Sequence, residues 1–187
     1  MVFRLFRRSA NRDLIDRLRG EIVAAARDPV LFTEYGIEDS LQGRFEALAL
    51  HAALILRQLN RSKPPAPEMA QDLTDAIFLS FDTALREMGV GDTGLRTRMR
   101  TIAEAFRGRA TAYDLALSGG TPQLTAALAR NVYDGHGIGE ACALCGSRQP
   151  SLGQCLARGI YDGSGSISTP FRYSLEHILK KVARSFG

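Results

Sequence analysis

The sequence predicts an all-α protein, a single-domain bundle of about six to eight helices, and three observations carry that expectation. Apolar residues recur at three- and four-residue spacing in one segment after another, which is the signature of helices with one buried face. Glycine and proline fall between those segments and punctuate them. The chain has 187 residues, 45% hydrophobic and 24% charged, enough to bury one core and without a composition shift that would mark a second domain.

The first ten residues form a basic lead in which apolar residues alternate with Arg4, Arg7 and Arg8. No uninterrupted apolar run of the kind a secretory signal needs is present, so no signal peptide is expected. Asn11 is placed to cap a helix in which Leu14, Ile15, Leu18, Ile22, Val23 and Ala26 share a face, until Asp28-Pro29 ends it. A connector follows, with one short helical turn at Val30 to Thr33. A helix starting near Ser40 or Leu41 runs to about Asn60 and is apolar almost all round between Phe45 and Leu59, the pattern of a central helix. Its longest apolar stretch, Ala47 to Leu56, is far short of the roughly 20 residues that cross a bilayer. A soluble, cytoplasmic protein is therefore expected, with any membrane contact at the inner surface.

Residues 61–67, Arg-Ser-Lys-Pro-Pro-Ala-Pro, break the pattern as a proline-rich loop. Pro67 or Glu68 opens the next helix, whose Met69, Leu73, Ile77, Phe81, Ala84 and Met88 read as a core stripe. Gly89 and Gly91 then bracket a tight turn, with Asp92 or Thr93 as the cap of a long helix folded back as a hairpin. On that helix Leu95, Met99, Ile102, Ala103, Phe106, Ala110, Tyr113 and Leu117 make one apolar stripe. Arg96, Arg100 and Arg107 share one of its edges with Asp114, and Arg98 and Arg109 lie near the other. Gly119-Gly120 closes it, Thr121-Pro122 starts a short helix, and Asp134-Gly135 stops that one.

Residues 134–187 are harder to read. Leu128 to Gly137 reappears with few changes as Leu156 to Gly165, which reads as two short helices with the same stop chemistry, since a solenoid needs three or more units. Thr169-Pro170 opens a last helix with Phe171, Leu175, Ile178, Leu179, Val182 and Phe186 on one face and His177, Lys180, Lys181 and Arg184 on the other.

Candidate chemistry is sparse. The formal net charge is +4, mostly scattered arginine, which permits an acidic partner without requiring one. Three cysteines, an odd number, argue against a disulfide framework and for a reducing compartment. Cys142 and Cys145, with Cys155 and His136, have the residue types of a zinc site, but no second pair follows at ligand spacing. His51 lies in the most apolar helix without a histidine or carboxylate four residues on, and reads as a buried structural imidazole. No phosphate-binding loop, dinucleotide motif or nucleophile elbow occurs. The arginine-edged stripe is left as the interaction surface, apolar in the middle and basic at the rim. It suits a hydrophobic client segment with acidic residues or phosphates beside it, and its candidate contacts are Arg96, Arg98, Met99, Arg100, Phe106, Arg107, Arg109 and Tyr113.

The run Arg86-Glu-Met-Gly-Val-Gly-Asp92, with Met99, Glu104-Ala-Phe106, Gly108-Arg109 and Ala112-Tyr-Asp114, resembles the ubiquinol–cytochrome c chaperone family. Tyr35-Gly36, Gly43-Arg-Phe-Glu46, Leu50-His51 and Arg130-Asn-Val-Tyr133 extend the resemblance over roughly the first 135 residues. Arg96 and Arg107 depart from it, standing where a proline and an aromatic residue are usual. The resemblance implies a non-catalytic assembly factor without a cofactor, which binds newly made cytochrome b and assists early assembly of ubiquinol–cytochrome c reductase. It also implies a small partner protein and work near the ribosome, while the basic amphipathic termini suggest peripheral membrane association. The competing readings are an RNA- or ribosome-binding helical module, and a small zinc or cysteine enzyme.

Overall fold

A helix that is apolar almost all round has no face to give to water, and α3 (Leu41–Arg61) accordingly lies at the centre, buried from Glu46 through Leu56 apart from a half-buried Leu48. The computed structural model describes residues 2–134, with side chains from Arg12 onward. Around α3 stand α1 (Val2–Ala26), the single-turn α2 (Pro29–Thr33), α4 (Ala66–Glu87), α5 (Asp92–Gly119) and α6 (Thr121–Val132). Both α1 and α5 pack on α3 and α4, and α6 packs on α5 and α3. Leu18 and Ile22 of α1, Leu50 and Ile55 of α3, Leu73 and Ile77 of α4, and Leu124 and Leu128 of α6 meet in one core. Each such side chain contributes about 1.5–3 kcal/mol by leaving water. The described residues are all-α, as the periodicity predicts, and no helix among them is long and apolar enough to cross a membrane.

Punctuation in the sequence maps onto the turns. Asp28 caps α2 by accepting from the Val30 amide at 3.0 Å, and Ser40 caps α3 by accepting from the Gly43 amide at 3.1 Å. Gly89, at φ +78°, takes the left-handed conformation that ends α4 and turns the chain into α5. Tyr133 closes the far end, donating from its hydroxyl to the Tyr35 carbonyl at 2.7 Å.

Four expectations are corrected. The helix α1 begins at Val2 and not at Asn11, because nothing in the lead breaks a helix and its Arg, Leu and Phe tolerate one. Helix α4 begins at Ala66, with Pro67 in its first turn, where the missing amide hydrogen costs nothing. The cap of α5 is Gly91 and not Asp92 or Thr93; the Asp92 carboxylate is turned to Arg86, 3.1 Å away, and caps nothing. The α4 stripe also runs past the core, since Ile77 is buried while Phe81 is half-buried and Ala84 and Met88 are exposed. In that last turn it is Leu85, outside the expected stripe, that is buried. The zinc candidates His136, Cys142, Cys145 and Cys155, the second copy of the repeated decapeptide and the helix expected after Thr169 lie outside the described residues. Among those residues no group of three His, Cys, Asp or Glu is placed to hold a metal ion.

Candidate partner-binding site

The arginine-edged stripe of α5 is divided by the fold into an inner and an outer part. Phe106 and Tyr113 are buried in the core, with the Phe106 ring edge-on to Phe78 at 5.5 Å between centroids. Neither is available to a partner, and an RNA would find no aromatic platform in these two rings beside the arginines. Arg109 also turns inward. Its guanidinium donates to the Glu46 carboxylate from Nε at 2.6 and 2.8 Å and again from Nη2, and lies over the Phe45 ring at 5.4 Å.

Glu46 is 1% exposed on the central helix, and Gln42 donates to it from Nε2 at 2.6 Å. A carboxylate this deep needs a cation, and Arg109 supplies it from α5. The hydrogen bonds to Glu46 in turn raise the Arg109 pKa. Next to this pair the Tyr113 hydroxyl faces the Asn131 amide without a hydrogen bond of ordinary geometry, and burial, reinforced by the Glu46 charge, pushes its pKa up. The cluster joins α3, α5 and α6. It is a structural junction, and its spacing of 63 residues between Glu46 and Arg109 leaves no local sequence signature.

The other candidate residues face outward. Arg96, Arg98 and Arg107 are exposed and form no ion pair among the described residues, and Met99 is half-buried between them. Arg100 pairs with Glu104 one turn on at 2.9 Å, an exposed contact. Asp114 does not pair with the arginines of its own edge; it accepts from Arg57 of α3 at 2.8 Å, with Arg61 at 3.6 Å. His51 is buried, with Nδ1 at 2.7 Å from the Ala47 carbonyl, as an imidazole in an apolar helix is expected to be.

A concave feature lies elsewhere. Where the stripes of α1, α4 and α5 outrun the core, an open groove of about 500 Å³ is left between them and the start of α3. Helix α4 lines it with Ile77, Phe81, Ala84 and Leu85 and its C-cap Met88 adds to them; α3 contributes Leu41, Phe45 and Leu48, α5 Ile102 and Ala105, and α1 Val23 and Ala26. Phe45 and Phe81 pack on each other within it, 6.0 Å between centroids. Leu41, 77% exposed, and Met88, 58% exposed, stand at its edge. Among the described residues, the charged ones lining it are Arg19, Arg27 and Arg44, with no carboxylate. The volume suits apolar side chains of a partner, and an exposed apolar surface with a basic rim is the form of a recognition groove. Among the described residues its lining converges no general acid, base or nucleophile on a common point.

The fold is a helical bundle with an apolar groove, and comparison with known proteins gives its class, an assembly chaperone. Residues 33–164 match the family described as ubiquinol-cytochrome C chaperone. The chain belongs to that family. The match starts later and ends later than the resemblance read over the first 135 residues. Among solved structures, the chain is similar to the crystal structure of the Cbp3 homolog from Brucella abortus, with 32% sequence identity, a TM-score of 0.65, and coverage of 91% of this chain and 98% of that one. A comparison with curated proteins gives no match.

Proposed function

We propose that this chain is a non-catalytic assembly chaperone of ubiquinol–cytochrome c reductase whose client is newly made cytochrome b, and that the groove among α1, α3, α4 and α5 holds an apolar segment of that client. The observation that carries this reading is an apolar hollow that the described residues leave uncovered beside a well-buried core. Covering it with client side chains contributes about 1.5–3 kcal/mol for each large one fully buried, enough to hold a segment and release it. Arg96, Arg98, Met99, Arg100 and Arg107 form a second, outward surface on α5, available to the client, to a small partner protein or to the ribosome. The basic residues of the N-terminal lead are the proposed contact with an anionic membrane face.

Deleting the gene tests the function. The expected result is specific loss of cytochrome b and of ubiquinol–cytochrome c reductase activity, with other respiratory complexes intact and full rescue by the wild-type chain. Unchanged cytochrome b after deletion would overturn the assignment.

A further inference from the structure

The groove's charge is as one-sided as its apolarity. Arg19 stands on α1 and Arg27 directly follows its last residue, Ala26; eight positions at 1.5 Å per residue set the two about 12 Å apart along the chain's path. Arg44 joins them from α3. Their existing partners leave them available. Arg27 is exposed and makes no ion pair among the described residues. Arg44 pairs with Asp39 at 2.7 Å, but both side chains are well exposed to solvent, and such a contact exchanges readily. Arg19 donates to the Ser80 hydroxyl at 3.2 Å and lies 3.7 Å from Asp16, neither of which neutralises it fully.

Two arginines rooted eight positions apart suit a row of anionic groups along a helix laid beside α1 better than one compact headgroup. Carboxylates seven or eight positions apart on such a helix would repeat the 12 Å interval, while residues at three- and four-residue spacing enter the hollow. Resting on the client-holding role above, we infer that the groove takes an acidic-edged amphipathic helix of its partner, with Arg19 and Arg27 reading the carboxylates and Phe81 and Met88 meeting the apolar face. The chain's own C-terminal pattern, with Lys180, Lys181 and Arg184 beside its apolar residues, carries the wrong charge for this rim.

Fluorescence anisotropy with the full chain tests the inference. Three labelled helical peptides share one apolar face and carry Glu, Gln or Lys at the two flanking positions; a fourth comprises residues 169–187. The Glu peptide is expected to bind most tightly and to weaken with added salt, and the 169–187 peptide to bind least. Arg27→Glu should lower affinity for the Glu peptide about three- to tenfold and raise it for the Lys peptide, a reversal that misfolding does not produce. Met88→Asp should weaken all three. Equal affinity for the Glu, Gln and Lys peptides, or no effect of Arg27→Glu, would overturn the inference. So would tighter binding of the 169–187 peptide, or self-association abolished by Met88→Asp, since each names another occupant. Any of these would leave the deletion result, and with it the chaperone role, standing.

Discussion

His51 lies inside α3 with its Nδ1 hydrogen-bonded to the Ala47 carbonyl, and its burial sets its titration. Burial lowers its pKa from 6.5 to about 4, against the opposing pull of the Ala47 hydrogen bond and the Asp28 charge. The neutral ring is therefore the form that the fold accepts. Above the unfolded value the contribution is complete; as pH falls from about 6.5 toward 4 the unfolded chain takes up a proton that the native one refuses, and stability drains away. The loss should reach about 2 kcal/mol between about pH 7 and about pH 5, before most carboxylates titrate. Chemical denaturation of the wild type and of His51→Leu across that interval measures it: the wild type should weaken and the variant should stay nearly level, and parallel profiles would show that His51 is not the cause. Its burial follows from its apolar neighbours in the sequence. The Glu46–Arg109 pair does not, because a partner on another helix has no fixed spacing; the signal was a lone carboxylate in an otherwise apolar helix, which demands a buried cation from somewhere.

At the level of elements, local rules decided most boundaries and tertiary contacts decided the rest. Gly89 shows the first kind. Its φ of +78° is what ends α4, and a Cβ there would meet nothing within 4 Å, so replacement costs backbone strain alone. Gly43 shows the second. It is an ordinary helical residue, yet an added Cβ would stand 1.9 Å from the Glu38 carbonyl oxygen, because the connector before α3 runs directly across it. Sequence periodicity sees neither that crossing nor the need for a glycine under it. Gly43→Ala should thus cost about 1–3 kcal/mol by displacing the connector. Gly89→Ala should cost about 1–2 kcal/mol, and Asn, which tolerates the left-handed region, should recover part of the loss at position 89 and none at 43. Thermal melts of the four variants separate the two causes, and recovery at 43 would refute the steric one.

For the molecule as a whole, the stripes were legible but their ends were not. The pattern Met69, Leu73, Ile77, Phe81, Ala84, Met88 is continuous in sequence, and nothing in it reveals that Ile77 is sealed while Met88 lies open. That difference depends on which neighbouring helix lies over each turn, a matter of packing among four elements. The same limit applies to α5, whose apolar stripe reads as one surface but delivers Phe106 and Tyr113 to the core and leaves Ile102 at the groove. The groove, by contrast, is shared by four helices, with Arg19 of α1, Arg27 just beyond its end and Arg44 of α3 along it. Hydrophobic periodicity reports that a residue wants cover, and a chaperone is a protein in which part of that cover comes from another chain.

The most direct measurement places a photo-crosslinking amino acid at Met88, within the groove, and separately at Leu79, which is 67% exposed on the same helix but outside it. Cells synthesising the respiratory chain are illuminated and the adducts identified. Crosslinks to newly made cytochrome b from position 88, and none from position 79, are the predicted result. Equal adducts from both positions, or adducts from 79 alone, would contradict a client held in the groove.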